Sequence, residues 1–485
     1  MTLQLAISVV IAFSVGFMAI SLLWPRNEHA GWALFAFKIF AGLGLGQGIT
    51  ACLAFVYLVV HGRADRSYIF FELVFLLAMA SLFALATRRK DAQTFRLHAA
   101  RGGASPRYEW LLAVALCVAA TAALVAVGIG MDRAPYGDWD AWGIYNLRAR
   151  SIYRGGYDWR DSFSDLLHLT HPDYPLLLPL SVVRGWIYMG GESTVAPRLI
   201  GGVFMVATTG LVFSAIAALR GSAQACIAGI VLLGNVLLIR HASSQYADVP
   251  LMFFFAAAIT FLILHDEAVR EAGNGALAVA GLAAGLAAWT KNEGMLFLIV
   301  LMAVQFAVVA RSRGLRAYAG QLRALAAGLL PVLAILIFFK STLAPPNDLV
   351  TLSAGQSVWA KLVDSSRYST IARELLQRAP LRDGSRIGMV YLLAIYGVGV
   401  GLGARRSAGV VQATLTLLLL SAGYLAVYLI TPNDLQWHIS TSMDRLLVQV
   451  WPTFVLVYFL LLATPEESFS LPRQSARTGG RDESG

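Results

Sequence analysis

Apolar runs of about 20 residues recur along almost the whole chain, and that repetition decides what it can fold into. One helical crossing of a bilayer needs about 20 such residues. The runs fall at 3–23, 33–60, 67–87, 109–131, 196–219, 225–239, 249–264, 277–290, 294–310, 322–341, 387–403, 409–430 and 446–463 of the 485 residues. Charged residues make up 14% of the chain, against about 25% in soluble domains, and the mean hydropathy is +0.65. A soluble enzyme, a disordered chain and a coiled coil are excluded. The expected fold is an all-α integral-membrane bundle of about 13 transmembrane helices. The segments 225–239 and 277–290 are short for a full span, as in bundles that enclose a cavity. The segment 176–190 is apolar but holds Pro179 and Arg184, which reads as an interfacial helix.

Basic loops set the expected orientation. Arg88, Arg89, Lys90, Arg96, Arg101 and Arg107 lie in 88–108, Arg311, Arg313, Arg316 and Arg323 in 311–323, and Arg405 and Arg406 in 404–408. Strict alternation puts these, with the tail after residue 463, on the cytoplasmic side of a plasma (inner) membrane. The loops 132–195, 240–248, 342–386 and 431–445 then face outward, the first a large loop of short helices between the fourth and fifth spans. The net charge of +10 reads as loop charge and anionic-lipid contact, with no nucleic-acid partner. The first run has no basic flank before it and Arg26 after it, which suits a membrane helix better than a signal peptide. Cys52, Cys117 and Cys226 all lie inside apolar runs and are expected to pack in the core. Gly42, Gly44 and Gly46 read as close helix packing. The expected organisation is an N-terminal membrane unit over 1–108, a membrane domain over 109–463 and a disordered tail over 464–485. The 358–378 stretch is expected to form a helix resting on the outer surface.

Residues able to carry chemistry concentrate in the outer loops. Asp138 and Asp140 open the largest, just beyond an apolar segment. Carboxylates at such a boundary are candidate general bases or metal ligands, and an Asp there is also an ordinary helix cap. His171 and Asp173 follow in HPDYPLLLPL (171–180), either a phosphate or metal contact or a proline-bounded turn. Asp248 stands at the head of an apolar segment with Arg240, His241 and Tyr246 nearby, and must be solvated or paired there. Lys291 and Glu293 lie between two apolar segments with almost no loop, so Lys291 should pair with Glu293 or an anion. In 431–445, Asp434, His438 and Arg445 share a helical face. An Arg with a His at that level makes a phosphate clamp, and Arg198 begins another helix in the same way. There is no Gly-x-x-x-x-Gly-Lys-Ser/Thr loop and no His-Glu-x-x-His, so nucleotide-driven transport and zinc proteolysis lack support.

Four stretches together resemble the GT-C class of integral-membrane glycosyltransferases, most closely the protein O-mannosyltransferase and lipid A aminoarabinose transferase group, over roughly 109–463. They are Asp140 with Tyr145, Ala149 and Arg150; HPDYPLLLPL; Thr290-Lys291 followed by Gly294; and the late His438 and Arg445. Where the family often has Asp-Glu, this chain has Asp140-Ala141, with Asp138 two residues earlier, so either Asp can match the family's base. The resemblance implies a polyprenyl-phosphate sugar donor, used on the extracytoplasmic face. An Asp (Asp140 or Asp138) would deprotonate an acceptor hydroxyl, giving single displacement with inversion. Asp248, Lys291, His171, Arg198, His438 and Arg445 would bind substrate. The acceptor would be a glycolipid, polymer or protein. No cofactor would be required, although Asp138, Asp140 and Asp248 could share a divalent cation. The competing reading is a secondary transporter or lipid-linked glycan flippase, which needs ionisable residues at mid-membrane depth.

Overall fold

The computed structural model describes residues 2–24, 31–88, 108–267, 274–346, 358–378, 388–403 and 407–469. The expected basic segment 88–108 lies outside these from residue 89 to 107, as do 404–406 and the tail from 470.

The chain is an all-α membrane protein. Its helices, in order, are α1 (Thr2–Leu23), α2 (Trp32–His61), α3 (Ser67–Arg88), α4 (Glu109–Arg133), α5 (Asn146–Arg154), α6 (Leu177–Met189), α7 (Val195–Arg220), α8 (Ser222–Leu233), α9 (Val236–Ser243) and α10 (Asp248–Glu267). There follow α11 (Gly275–Thr290), α12 (Asn292–Arg313), α13 (Leu315–Thr342), α14 (Val358–Val363), α15 (Ser365–Arg378), α16 (Met389–Val400), α17 (Ala408–Ile430), α18 (Leu435–Leu461) and α19 (Pro465–Phe469). Among the described residues, ten helices are long and apolar enough to cross a membrane, or eleven if the bent pair α8–α9 is one span. No described residue belongs to a sheet, and one isolated bridge joins Leu402 to Leu462.

The bundle is built around α10, which is apolar on every side and buried from Asp248 to His265. A helix without a polar face belongs in a core. Against it pack α7, α11, α17 and α18, and α11 is buried in turn between α10 and α13. By contrast α3 and α4 bury little of themselves and display Phe70, Leu77, Trp110 and Val118, as helices facing lipid do. The glycine pattern of α2 serves close packing. A Cβ on Gly46 would lie 1.9 Å from the Ala12 carbonyl oxygen of α1, and one on Gly44 would lie 2.2 Å from the Phe253 ring of α10.

Several expectations are corrected. The 176–190 segment does not lie on the surface of the bundle: every residue of α6 is buried, with α1, α2, α5 and α7 covering it. Its arginine is tolerated because Arg184 Nε donates to Glu72 Oε1 of α3 at 2.7 Å. Glu72 also accepts from Tyr68 and Tyr188, and Arg184 donates to the Ser8 carbonyl of α1. The 225–239 run is two helices bent by 63°, broken at Gly234-Asn235, where the Asn235 side chain caps the Leu237 N–H at 3.0 Å. Cys117 is exposed on α4, whereas Cys52 and Cys226 are buried. The 358–378 stretch is two helices, with Asp364 accepting from the Ser366 N–H at 2.9 Å at the break; the second packs Ile371 against Tyr428, Ile439 and Met443. The tail begins ordered. Thr464 and Glu467 cap α19 reciprocally at 2.9 and 3.2 Å, and Tyr108 donates to Glu466 at 2.7 Å.

The Glu72–Arg184 pair therefore anchors α6 to the N-terminal helices. Removing one partner of a buried pair costs about 3–5 kcal/mol, while replacing both with apolar groups is close to neutral. Thermal unfolding of purified protein should show a large loss for Glu72→Gln and recovery of most of it in Glu72→Leu/Arg184→Met. An unchanged Glu72→Gln midpoint would refute the anchor.

Candidate active site

At one end of the bundle the chain folds back over the helix ends. Polar bonds fix the start of the large loop to the turn before α10. The Asp138 N–H donates to the Ser244 carbonyl at 3.3 Å, and the Ser244 hydroxyl donates to Asp138 Oδ2 at 2.7 Å. The Asn146 amide donates to Gln245 Oε1 at 2.9 Å, and the Gln245 amide to the Pro135 carbonyl at 3.2 Å. Between these staples, Ala141–Tyr145 forms a π-helical turn. Its wider pitch brings residues five apart, here Asp140 and Tyr145, toward one face. Asp140 does not cap this helix with its side chain.

Its carboxylate instead meets an ion network rising from the bundle. Arg445 Nη2 of α18 lies 2.7 Å from Asp140 Oδ2 and 3.1 Å from Asp248 Oδ2. Lys291 Nζ, in the extended break between α11 and α12, lies 3.1 Å from Asp248 Oδ1 and 2.7 Å from Glu293 Oε1. The Gln449 amide also donates to Asp248, and Tyr424 donates to Gln449 Oε1 at 2.7 Å. The Arg445 guanidinium lies 4.8 Å from the Tyr246 ring centre. The network is graded in exposure. The side chain of Asp248 is 0% exposed and that of Lys291 4%, but those of Asp140, Arg445 and Glu293 are 13%, 16% and 23% exposed. Glu293, Arg445 and Asp140 are thus the parts of the network nearest solvent, and Asp248 and Lys291 are sealed behind them.

Tyr145 completes this corner. Its hydroxyl is buried without a hydrogen-bond partner. Burial, reinforced by the charges of Asp140 and Asp248, holds its phenol well above the ordinary range, so it stays a neutral donor. Tyr246 is pushed up to about 12, by burial and then by Asp140.

The HPDYP segment joins from the side. The Asn292 amide donates to Asp173 Oδ2 at 2.9 Å. Lys340 Nζ donates to the Asp173 carbonyl at 2.6 Å and to Asn292 Oδ1 at 3.0 Å. His171 adopts a left-handed backbone, with φ of 47°, and stacks on Tyr174 at 4.7 Å. Arg148, buried against Phe163, donates to Thr170 Oγ1 at 2.9 Å; burial draws its pKa down to about 10, opposed by Asp173.

The structure thus brings Asp140, Asp248, Lys291 and Arg445 into one network, with Glu293. Other expected site residues have partners of their own. Asp138 is engaged by Ser244. His171 stacks on Tyr174. Arg198 pairs with Asp132 at 2.9 Å and donates to the Met131 carbonyl, holding the end of α4. His438 Nδ1 contacts Thr431 Oγ1 at 2.8 Å, and Asp434 caps α18 through the Trp437 N–H at 2.8 Å. A cation shared by Asp138, Asp140 and Asp248 does not fit this arrangement, because Arg445 stands between the last two. Among the described residues no three His, Cys, Asp or Glu side chains gather to hold a metal ion. Sequence reasoning missed Gln449, Tyr424, Asn292 and Lys340 as parts of the site. Gln449 had a signal, as a polar residue one helical turn beyond Arg445 in an apolar run.

Comparisons of the chain with protein-family models, with curated proteins and with solved structures returned no match.

Two tyrosines separate bonded from unbonded hydroxyls. Tyr424→Phe should cost about 1–3 kcal/mol by leaving Gln449 Oε1 unpaired. Tyr145→Phe should leave the unfolding midpoint unchanged or raised. Thermal melts of the two variants beside wild type check both, and a large loss in Tyr145→Phe would contradict the geometry.

Proposed function

We propose that this protein is a membrane glycosyltransferase that moves a sugar from a polyprenyl-phosphate donor to an acceptor hydroxyl. The observation that carries this reading is the single network linking an accessible carboxylate, Asp140, to two cations, Arg445 and Lys291, where a folded loop meets the membrane helices. Such an arrangement supplies both things the reaction needs, a proton acceptor and, next to it, positive charge for a departing phosphate.

In this scheme Asp140 takes the proton of the acceptor hydroxyl. The oxygen attacks the anomeric carbon from the face opposite the phosphate, and the bond from that carbon to the phosphate oxygen breaks with its electron pair leaving on the lipid phosphate. Arg445, with Lys291 behind it, neutralises that charge. The anomeric configuration inverts. Asp140 is preferred to Asp138 because its carboxylate belongs to the network with Arg445, Asp248 and Lys291, whereas the Asp138 carboxylate accepts from Ser244 instead. In the accompanying topology all thirteen apolar segments enter the bilayer, and the site faces the extracytoplasmic side of the plasma membrane. The chemistry uses no metal. A flippase or transporter is the second reading, favoured by one feature: the Asp248–Lys291 pair is sealed within the bundle, where transporters keep ionisable groups.

The test is transfer from a panel of radiolabelled polyprenyl-phosphate sugars by purified protein, with a membrane extract as acceptor. Asp140→Asn should lose about 10²–10⁴-fold of the rate, the usual contribution of a general base, while Asp138→Asn keeps most of it. Activity equal to wild type in Asp140→Asn would reject the assignment, and no transfer from any donor would favour the flippase. The wild-type rate should survive excess EDTA; its loss, restored by a divalent cation, would reject the metal-free chemistry.

A further inference from the structure

Exposed tryptophan is uncommon, because its large apolar surface is usually buried. The turn that carries Asp140 displays two, Trp139 at 65% and Trp142 at 48% exposed. Their rings meet edge to face, with centres 4.5 Å apart. The backbone beneath them is fixed. Ala141, Ile144 and Tyr145 of the same turn are buried. Gly137 is pressed so closely against the turn before α10 that a Cβ there would lie 2.6 Å from the Ser244 carbonyl oxygen. Buried neighbours therefore hold the two indoles outward.

The helix just before them indicates what covers them. Along α4, Trp110, Val114, Val118, Val125 and Ile129 recur at helical spacing and are all exposed. The buried Ala123 and Val127 belong to the opposite side of that helix. An apolar stripe of this kind on a membrane helix faces lipid. Its rise from Trp110 to Ile129 is about 28 Å, close to the roughly 30 Å of a bilayer's hydrocarbon core. Aromatic residues stand at both ends. Tyr108 and Trp110 open the stripe, and Tyr136, Trp139 and Trp142, all exposed, follow it. Trp and Tyr gather at the two membrane–water boundaries, where their rings meet apolar chains and their N–H and O–H groups meet water and headgroups. Two aromatic clusters separated by one hydrocarbon thickness match those two boundaries.

We propose that Trp139 and Trp142 bind the headgroup region of the bilayer and seat the start of the large loop there, next to the lipid that covers α4. Asp140 lies between them in the chain and pairs with Arg445, so the anchor sets the depth of the ion network at headgroup level. For a lipid-linked donor that is the level of its phosphate, a consequence that rests on the function proposed above. The anchor itself does not.

Depth-dependent quenching of tryptophan fluorescence tests this on the full-length protein in phosphatidylcholine–phosphatidylglycerol vesicles. Subtracting the emission of Trp139→Phe/Trp142→Phe from that of wild type isolates these two among the chain's 11 tryptophans. The difference signal should be quenched strongly by lipids brominated near the headgroup, less by lipids brominated near the chain ends, and little by iodide in the water. Quenching by iodide with none from either lipid would overturn the proposal, because the indoles would stand in water. Protection from all three quenchers would also overturn it, since protein or carbohydrate would then cover them. Strongest quenching from the chain ends would overturn the headgroup depth. Should the double variant fail to fold, each single variant yields its own difference signal. No donor enters the measurement, so its failure is distinct from a failure of the transferase reading.

Discussion

A carboxylate sealed inside an apolar bundle is the constraint on which the rest of this structure turns. Asp248 opens the central helix and has no exposed surface. An isolated charge there would be prohibitively costly, so the fold must deliver cations to it. It does so from two directions, with Lys291 from the break between α11 and α12 and Arg445 from α18. Each delivery has a structural consequence. Lys291 can reach Asp248 only because the chain is extended between two helices at that point. Arg445 spans two carboxylates, and the second, Asp140, belongs to the loop. The pairing that neutralises the core therefore also seats the loop above it.

The same logic operates at a second point in the bundle. Glu72 and Arg184 are a second sealed pair, and they tie the N-terminal helices to α6. The chain just before α6 is held where Asp173 meets Asn292 and Lys340. The loop is thus fixed at Asp138 by Ser244, over Asp140 and Asn146 by Arg445 and Gln245, and at Asp173 by Asn292 and Lys340. A loop pinned at three places by polar bonds is a scaffold able to present side chains with little loss of order on binding.

Much of this was legible in the sequence, for identifiable reasons. The helices were readable because each membrane crossing must be apolar for about 20 residues. Asp140, Asp248, Lys291 and Arg445 stood out because a charge at the edge of an apolar run demands an explanation. What was not legible depended on contacts distant in the chain. Arg184 looked like a mark of an interfacial helix because its partner, Glu72, lies 112 residues earlier. Asp138 and Asp140 look alike in the sequence, and only the fold gives them different partners, Ser244 and Arg445. Gln449, Tyr424, Asn292 and Lys340 look ordinary in sequence, and only the fold makes them neighbours of the charges. The bend at Gly234-Asn235 carried a local signal, a glycine followed by a capping residue, that the apolar pattern masked.

Hydrogen exchange resolved along the chain tests the organising role of Asp248 most directly. If Asp248 seats the loop by fixing Arg445, Asp248→Asn should leave Arg445 tied to Asp140 but loose from the bundle, and speed exchange of the amides of 138–150 well beyond wild type. The amides of α11 should stay protected, showing that the bundle remains folded. Unchanged exchange across 138–150 in a folded Asp248→Asn protein would contradict the account, because the loop would then be held without the network said to hold it.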